Sequence, residues 1–185
     1  MLKLVVNGDE LWDERSQEFI TVRGTTLELE HSLLSVSKWE EKWHKPYLDR
    51  NTEKTVEEEL DYIRCMTIDS ENVDPIVYNS LTPQHFNMIR EYIEDPHTAT
   101  TFREDKDAPK NRSIITTEVI YYQMTELNIP FEPCEKWHLN RLMTLIRVCA
   151  IKKAPPKKKG RGKNRNSASM RELNRQRRAQ MGTMG

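Results

Sequence analysis

The cations of this 185-residue chain are not spread evenly, because residues 152–185 hold 12 Lys and Arg against a single acid, Glu172. Residues 1–151 carry the other 17 cations and 28 acids, so a body of net charge −11 precedes a tail of net charge +11 and the total is zero. This partition decides where a core can form. Between Ser169 and Gln180 the tail's apolar positions are nearly limited to Met170 and Leu173, too few to offset the entropy lost on ordering. The tail is therefore expected to be disordered alone, with Ser169 to Gln180 forming a basic amphipathic helix only on a partner. The core must come from residues 1–151, and a body of that length buries roughly 70% of the surface its unfolded chain exposes without help from metals or crosslinks.

Three cysteines, Cys65, Cys134 and Cys149, form no Cys-x-x-Cys spacing and leave one over, which suits reduced thiols rather than a disulfide framework. Leu4, Val5 and Val6 are too short a run for a signal sequence, and no apolar run of about 18 residues occurs, so no membrane span is expected.

Residues 1–30 read as strands. Leu2 to Val6 is broken by Asn7-Gly8, and Glu18 to Arg23 and Thr25 to Glu30 meet around Gly24, with Leu27 and Leu29 alternating against Glu28 and Glu30. The period then changes to three and four. Leu33, Val36, Trp39 and Trp43 predict a helix from His31-Ser32 to before Pro46, with both tryptophans on one face. Thr55-Val56-Glu57-Glu58 is a capping box for the next helix, and Asp74-Pro75 and Thr82-Pro83 each place a capping side chain before a proline at the first helical position. A polar loop over 95–113 follows, then a helix from Thr117 to Leu127 ended by Asn128-Ile129-Pro130, then a core helix marked by Leu139, Leu142, Met143, Ile146 and Cys149. The expected architecture is α+β and mainly α-helical: a small N-terminal antiparallel sheet at 1–30, a helical bundle at 31–151, and a disordered basic tail at 152–185.

Residue patterns that carry chemistry fail on spacing. Cys134 and His138 stand four apart, but two further metal ligands are missing, and a calcium loop from Asp69 has Asp74 where glycine belongs and Ser80 where a bidentate glutamate belongs. Glu104-Asp105-Lys106, with Asp95 upstream, has the spacing of a metal-dependent nuclease but lies in the proline-flanked loop, where nothing holds the groups rigidly. Lys157 stands where a phosphate loop ending in Gly160-Arg161-Gly162-Lys163 needs its first glycine, and no nucleophile elbow is present. The reading is a binding protein with no enzyme activity, cofactor or metal.

Candidate partner-binding residues are the aromatic and polar side chains of the helical half: Trp39, Trp43, Trp137, His138 and Arg141. His138 and Arg141 sit amid Trp137, Leu139 and Leu142 and need exposure or a hydrogen-bonding acid such as Glu40 or Glu41. In the tail, Lys157, Lys158, Lys159, Arg161, Lys163, Arg165, Arg175, Arg177 and Arg178 attract phosphates, acidic proteins or the acidic body of another copy. No aromatic residue interleaves them, so the stacking platforms of single-strand binders are missing.

The run from Glu30 to Trp43 (Glu-His-Ser-Leu-Leu-Ser-Val-Ser-Lys-Trp-Glu-Glu-Lys-Trp), with Lys54-Thr55 and Asp61 to Met66, resembles proteins of tailed bacteriophages. Trp137 to Leu142, Leu145 to Cys149 and the ending from Arg171-Glu172-Leu173-Asn174 to Gly185 are similar to the same group. The resemblance implies a long-tailed phage morphogenesis protein in the position of a tail assembly chaperone. Such a protein works in the host bacterial cytoplasm, binds the tape measure protein, keeps that long helical chain soluble and helps recruit the major tail (tube) protein. It also raises the question of a frameshifted form, for which Lys157-Lys158-Lys159 is the candidate coding site. The alternatives are an accessory protein that binds nucleic acid through its tail, or a structural tail or connector subunit.

Overall fold

The computed structural model describes residues 1–13, 17–49, 51–102, 114–154 and 165–182. The chain divides into two compact units, Met1–Ala150 and Ile151–Gly185.

The first unit opens with an antiparallel ribbon of four strands, β1 (Leu2–Val6), β2 (Asp9–Asp13), β3 (Glu18–Val22) and β4 (Thr25–Leu29). β1 pairs with β4 and β2 with β3, in one register that runs from Leu2 opposite Leu29 to Asp13 opposite Glu18. The segments on either side of Gly24 therefore do not pair with each other, as their meeting there suggests, and β2 is a strand the sequence pattern hides. Two glycines make the joint. A Cβ on Gly8 would lie 3.1 Å from the Val22 carbonyl oxygen and 3.2 Å from the Gly24 nitrogen, so the strands approach too closely for side chains there. At that joint the inward face changes. Leu4, Val6, Leu27 and Leu29 are buried in β1 and β4, whereas the continuation of the same face, Glu10, Trp12, Phe19 and Thr21, is exposed, and Val22 is buried on the opposite one.

The outer edge of β4 is covered by the end of the second helix: the Glu30 N–H donates to the Met66 carbonyl and the Ile68 N–H to the Glu28 carbonyl, at 2.9 and 2.8 Å. Helix α1 (Leu33–Trp43) starts where the Ser32 hydroxyl accepts from the Ser35 N–H at 3.2 Å and ends at left-handed His44. Its two tryptophans dock it on α2 (Val56–Met66). Trp39 Nε1 donates to the Glu58 carbonyl and Trp43 Nε1 to the Asp61 carboxylate, each at 2.9 Å. The predicted capping box at the start of α2 is present, with the Thr55 N–H donating to Glu58 at 2.8 Å and the Glu58 N–H to the Thr55 hydroxyl at 3.3 Å.

Short 3-10 turns at Ser70–Asn72 and Pro75–Ser80 lead to α3 (Pro83–Glu94); Asp74 caps the second turn as the Asp-Pro pair predicts, and Thr82 stands at the N-cap of α3 with its N–H donating to His85 Nδ1 at 3.1 Å. After the irregular segment 95–102 come α4 (Thr117–Leu127), a short α5 (Phe131–Cys134) and α6 (Leu139–Lys153). Leu4, Leu27, Leu29, Leu33, Val36, Trp39, Met66, Ile120, Met124 and Leu142 form the fully buried centre, shared by the ribbon and the helices. The small antiparallel sheet followed by helices is the predicted α+β, mainly helical architecture. In the second unit, α7 (Arg165–Gln180) takes the helical form, and residues 172–182 are exposed. No helix among the described residues is long and apolar enough to cross a membrane.

Candidate functional site

Helix α4 is held from a distance. Its N-cap, Thr116, makes no side-chain capping bond, and the carboxylate of Glu40 on α1 accepts instead from the Thr117 N–H (2.9 Å) and hydroxyl (2.7 Å). The other Glu40 oxygen accepts from the Tyr47 N–H at 2.8 Å, so one buried side chain fixes α1, the turn after it and the start of α4. Asn128 ends α4 in the left-handed conformation.

Helix α6 is set by His138. Its Nε2 donates to the Tyr92 carbonyl at 3.1 Å, and its Nδ1 accepts from the Asn140 N–H at 3.3 Å, which fixes the neutral tautomer and caps the first turn. Asn140 Nδ2 donates to the Ile93 and Asp95 carbonyls at 2.9 and 2.8 Å, tying α6 to the end of α3. The His138 ring stacks on His97 with centroids 3.9 Å apart and meets His31 edge-on at 5.3 Å. The His31 Nδ1 and the Tyr62 hydroxyl are 2.5 Å apart. Burial, then the neighbouring His138 and His97, push the His31 imidazole down to about 3, and burial with His97 also lowers His138. The Tyr62 hydroxyl is driven well above its ordinary range by burial. Burial keeps His31, His138 and Tyr62 uncharged, and their rings interlock with that of His97 in one structural layer. Among the described residues no three His, Cys, Asp or Glu side chains are grouped to hold a metal ion.

Placed this way, α4 and α6 leave a groove of about 630 Å³ between them. Tyr122, Gln123, Glu126 and Leu127 line one wall, Met143, Thr144, Ile146, Arg147 and Ala150 the other, and Phe102 contributes from the segment before α4. Tyr122 is 64% exposed, and the Arg147 guanidinium sits 4.0 Å from the Phe102 ring centroid, so the groove pairs apolar walls with a cation–π contact at its side. Next to it, burial and Glu135 raise the Tyr121 hydroxyl, which donates to Glu135 at 3.2 Å, to about 12. The phenol stays protonated. A concave strip walled by two helices accepts an apolar helix face by ridge-and-groove packing.

The residues singled out in the sequence do not form one site. Trp39 and His138 are buried, and Trp43 is half-buried with its indole N–H already bonded to Asp61. The Trp39 and Trp43 rings lie 6.4 Å apart on one face, as predicted. Arg141 is exposed and lies over half-buried Trp137, its guanidinium 4.3 Å from the ring centroid. The acid expected beside His138 and Arg141, Glu40 or Glu41, is not His138's partner: Glu40 is taken by Tyr47 and Thr117, and His138 by Tyr92 and Asn140. In the tail, Lys157, Lys158, Lys159, Arg161 and Lys163 lie outside the described residues, as does the loop run Glu104-Asp105-Lys106. Arg165 opens α7, and Arg175, Arg177 and Arg178 are exposed on it. Phe102 was not singled out in the sequence, and Tyr122, one of the aromatics of the helical half, and Arg147, within the run Leu145 to Cys149, were not read as site residues, because nothing in their spacing brings the three together. Compared with family models, curated proteins and solved structures, the chain matches none.

Proposed function

We propose that this protein is a non-catalytic binding protein that holds an apolar helical segment in the α4–α6 groove. The observation that carries the reading is the groove itself: an open strip of about 630 Å³ with Tyr122, Met143 and Ile146 on its walls, positioned by buried polar anchors at the start of both helices. Aromatic and methionine side chains suit such a task, because the rings cover an apolar helix face at low conformational cost and the flexible thioether adapts to irregular partners. The resemblance to tailed-phage morphogenesis proteins supplies the partner. The tape measure protein is a long helical chain with exposed apolar seams, and the protein acts as its assembly chaperone in the host bacterial cytoplasm until tube subunits polymerise around it, with the basic tail recruiting the tube protein.

Co-expression with the tape measure protein tests this reading. The long chain stays soluble with the full-length protein, and loses that protection when Met143→Glu or Tyr122→Asp places a charge in the groove. Removing residues 155–185 separates the tail's role from the groove's. Failure of the full-length protein to keep the tape measure protein soluble, with nucleic acid co-purifying through the tail, favours the nucleic-acid accessory role. Retention of the protein in purified virions favours a structural tail or connector subunit.

A further inference from the structure

The distal half of the ribbon is chemically unlike the rest of the first unit. Strands β2 and β3 contain Asp9, Glu10, Asp13 and Glu18 and no Lys or Arg, a net charge of −4 over ten residues. On the exposed face of the same two strands Trp12 and Phe19 are cross-strand partners, 53% and 66% exposed, their rings in edge-to-face contact at 5.0 Å. Glu10 shares the face of the pair, whereas Asp9 and Glu18 alternate onto the other face and add to the negative field of the ribbon; a carboxylate beside exposed rings suits a guanidinium group, since the acid attracts the charge and the ring faces accept the planar cation. The first unit uses that chemistry itself, with Arg141 over Trp137 and Arg147 over Phe102.

The chain also carries a matching ligand. Helix α7 has five arginines and one acid, a net charge of +4, with Arg175, Arg177 and Arg178 exposed and Leu173 offering 44% of its surface. Arg175 and Arg178 stand three residues apart, so they project from one side of the helix about 5–6 Å from each other. That spacing is close to the separation of cross-strand side chains in a two-stranded ribbon. We infer that the β2–β3 ribbon of one copy binds α7 of a second copy, with arginines of the helix seated on Trp12 and Phe19 and one of them paired with Glu10. Equal and opposite charge on two elements of one chain is what selects a second copy over an unrelated basic protein. This self-association does not depend on the groove or on its occupant.

Sedimentation equilibrium of the full chain, backed by far-ultraviolet circular dichroism to verify folding, tests the inference. The wild type is expected to run above its 21.9 kDa chain mass at about 50 mM salt and to return to it by about 500 mM, because salt screens exposed charge pairs. Trp12→Ser with Phe19→Ser, and separately Arg175→Gln with Arg177→Gln and Arg178→Gln, each weaken association at least tenfold. Mixing these two variants restores a complex, because one retains a working helix and the other a working ribbon. A charge exchange gives an independent check: Glu10→Arg, which weakens association alone, regains it when mixed with Arg175→Glu, Arg177→Glu and Arg178→Glu. A wild type that stays at its chain mass in low salt overturns the inference, including the case in which α7 occupies its own chain's ribbon. So does association that survives both sets of substitutions, or tail arginines that serve only to bind added nucleic acid.

Discussion

The Glu40 carboxylate on α1 accepts both the backbone N–H and the hydroxyl of Thr117, at 2.9 and 2.7 Å, across 77 residues of chain. The bond does for α4 what Thr55 does for α2, but the capping oxygen comes from another helix. A carboxylate at a helix N-terminus is favoured by the unpaired N–H groups and the positive end of the helix dipole. Because α4 is one wall of the groove, this pair also helps to fix that wall.

Replacing that carboxylate leaves three donors, on Tyr47 and Thr117, in a buried place without an acceptor. Glu40→Ala is expected to lower stability by about 3 kcal/mol, since hydrogen bonds to charged groups are each worth about 1.5–3 kcal/mol and part of the loss relaxes. In a chain of this size that corresponds to a melting point lower by about 6–12 °C. Glu40→Gln keeps one acceptor oxygen and costs less. Thermal melts of the two variants check the order, and equal losses would mean that a neutral acceptor contributes nothing there and the carboxylate charge carries the whole effect.

The glycine joint of the ribbon gives a second prediction. Gly8→Ala puts a Cβ 3.1 Å from one backbone atom and 3.2 Å from another, and neither neighbour is a flexible side-chain end that yields easily. The expected cost is about 1–3 kcal/mol, as for other overpacked sites. Gly24→Ala meets the Gly8 nitrogen at 3.1 Å, so the double variant relaxes a shared strain and costs less than the two single changes added. Urea denaturation of all three variants reads this, and strict additivity would show that the two glycines are not coupled.

Local signals predicted local structure well. Thr55 and Glu58, Asp74-Pro75, and the run Thr117 to Leu127 each state a boundary through a capping or periodic rule, and each boundary stands where the rule puts it. Strand β2 was hidden because Asn7-Gly8 reads as a turn, whereas in the structure Gly8 is a close-approach point within a continuing ribbon. The change of inward face at that point also breaks the alternation by which a strand is recognised. His138 escaped a local reading for another reason: its partners are the carbonyl of Tyr92, 46 residues away, and the N–H of Asn140, backbone atoms that no side-chain pattern advertises. The groove was illegible for the same cause, since Phe102, Tyr122 and Arg147 meet only through tertiary packing.

A charge at the groove should separate binding from stability. Tyr122 is exposed, so Tyr122→Asp is expected to change folding free energy by no more than about 0.5 kcal/mol, the usual range for surface positions. Affinity for an apolar helical peptide should fall at least tenfold, about 1.4 kcal/mol, because the bound state would bury a carboxylate without a partner. Fluorescence titration with a labelled amphipathic peptide gives the affinity and a melt gives the stability. Unchanged affinity would place the peptide elsewhere on the protein.

The histidine layer makes stability depend on pH in a window above the ordinary carboxylates. In the unfolded chain His31 titrates near 6.5, whereas in the folded protein it resists protonation down to about 3. Between those values the unfolded chain binds more protons, so the folded state loses stability as pH falls; the contribution is whole above about 6.5 and declines below it. One such proton is worth up to about 1.4 kcal/mol per pH unit, so His31 accounts for at most about 2–3 kcal/mol between pH 6.5 and 4.5. His138, also lowered by burial, adds a slope of the same sign. Glu58, Glu118 and Glu132, held below the usual carboxylate range, act at lower pH, where they must be protonated before their stabilisation is lost. His31→Gln keeps a hydrogen-bonding group for Tyr62 and removes the titrating one. Urea unfolding at about pH 7 and about pH 5 should show a smaller difference for His31→Gln than for the wild type; an equal difference would mean that His31 is protonated in the folded protein as readily as in the unfolded chain.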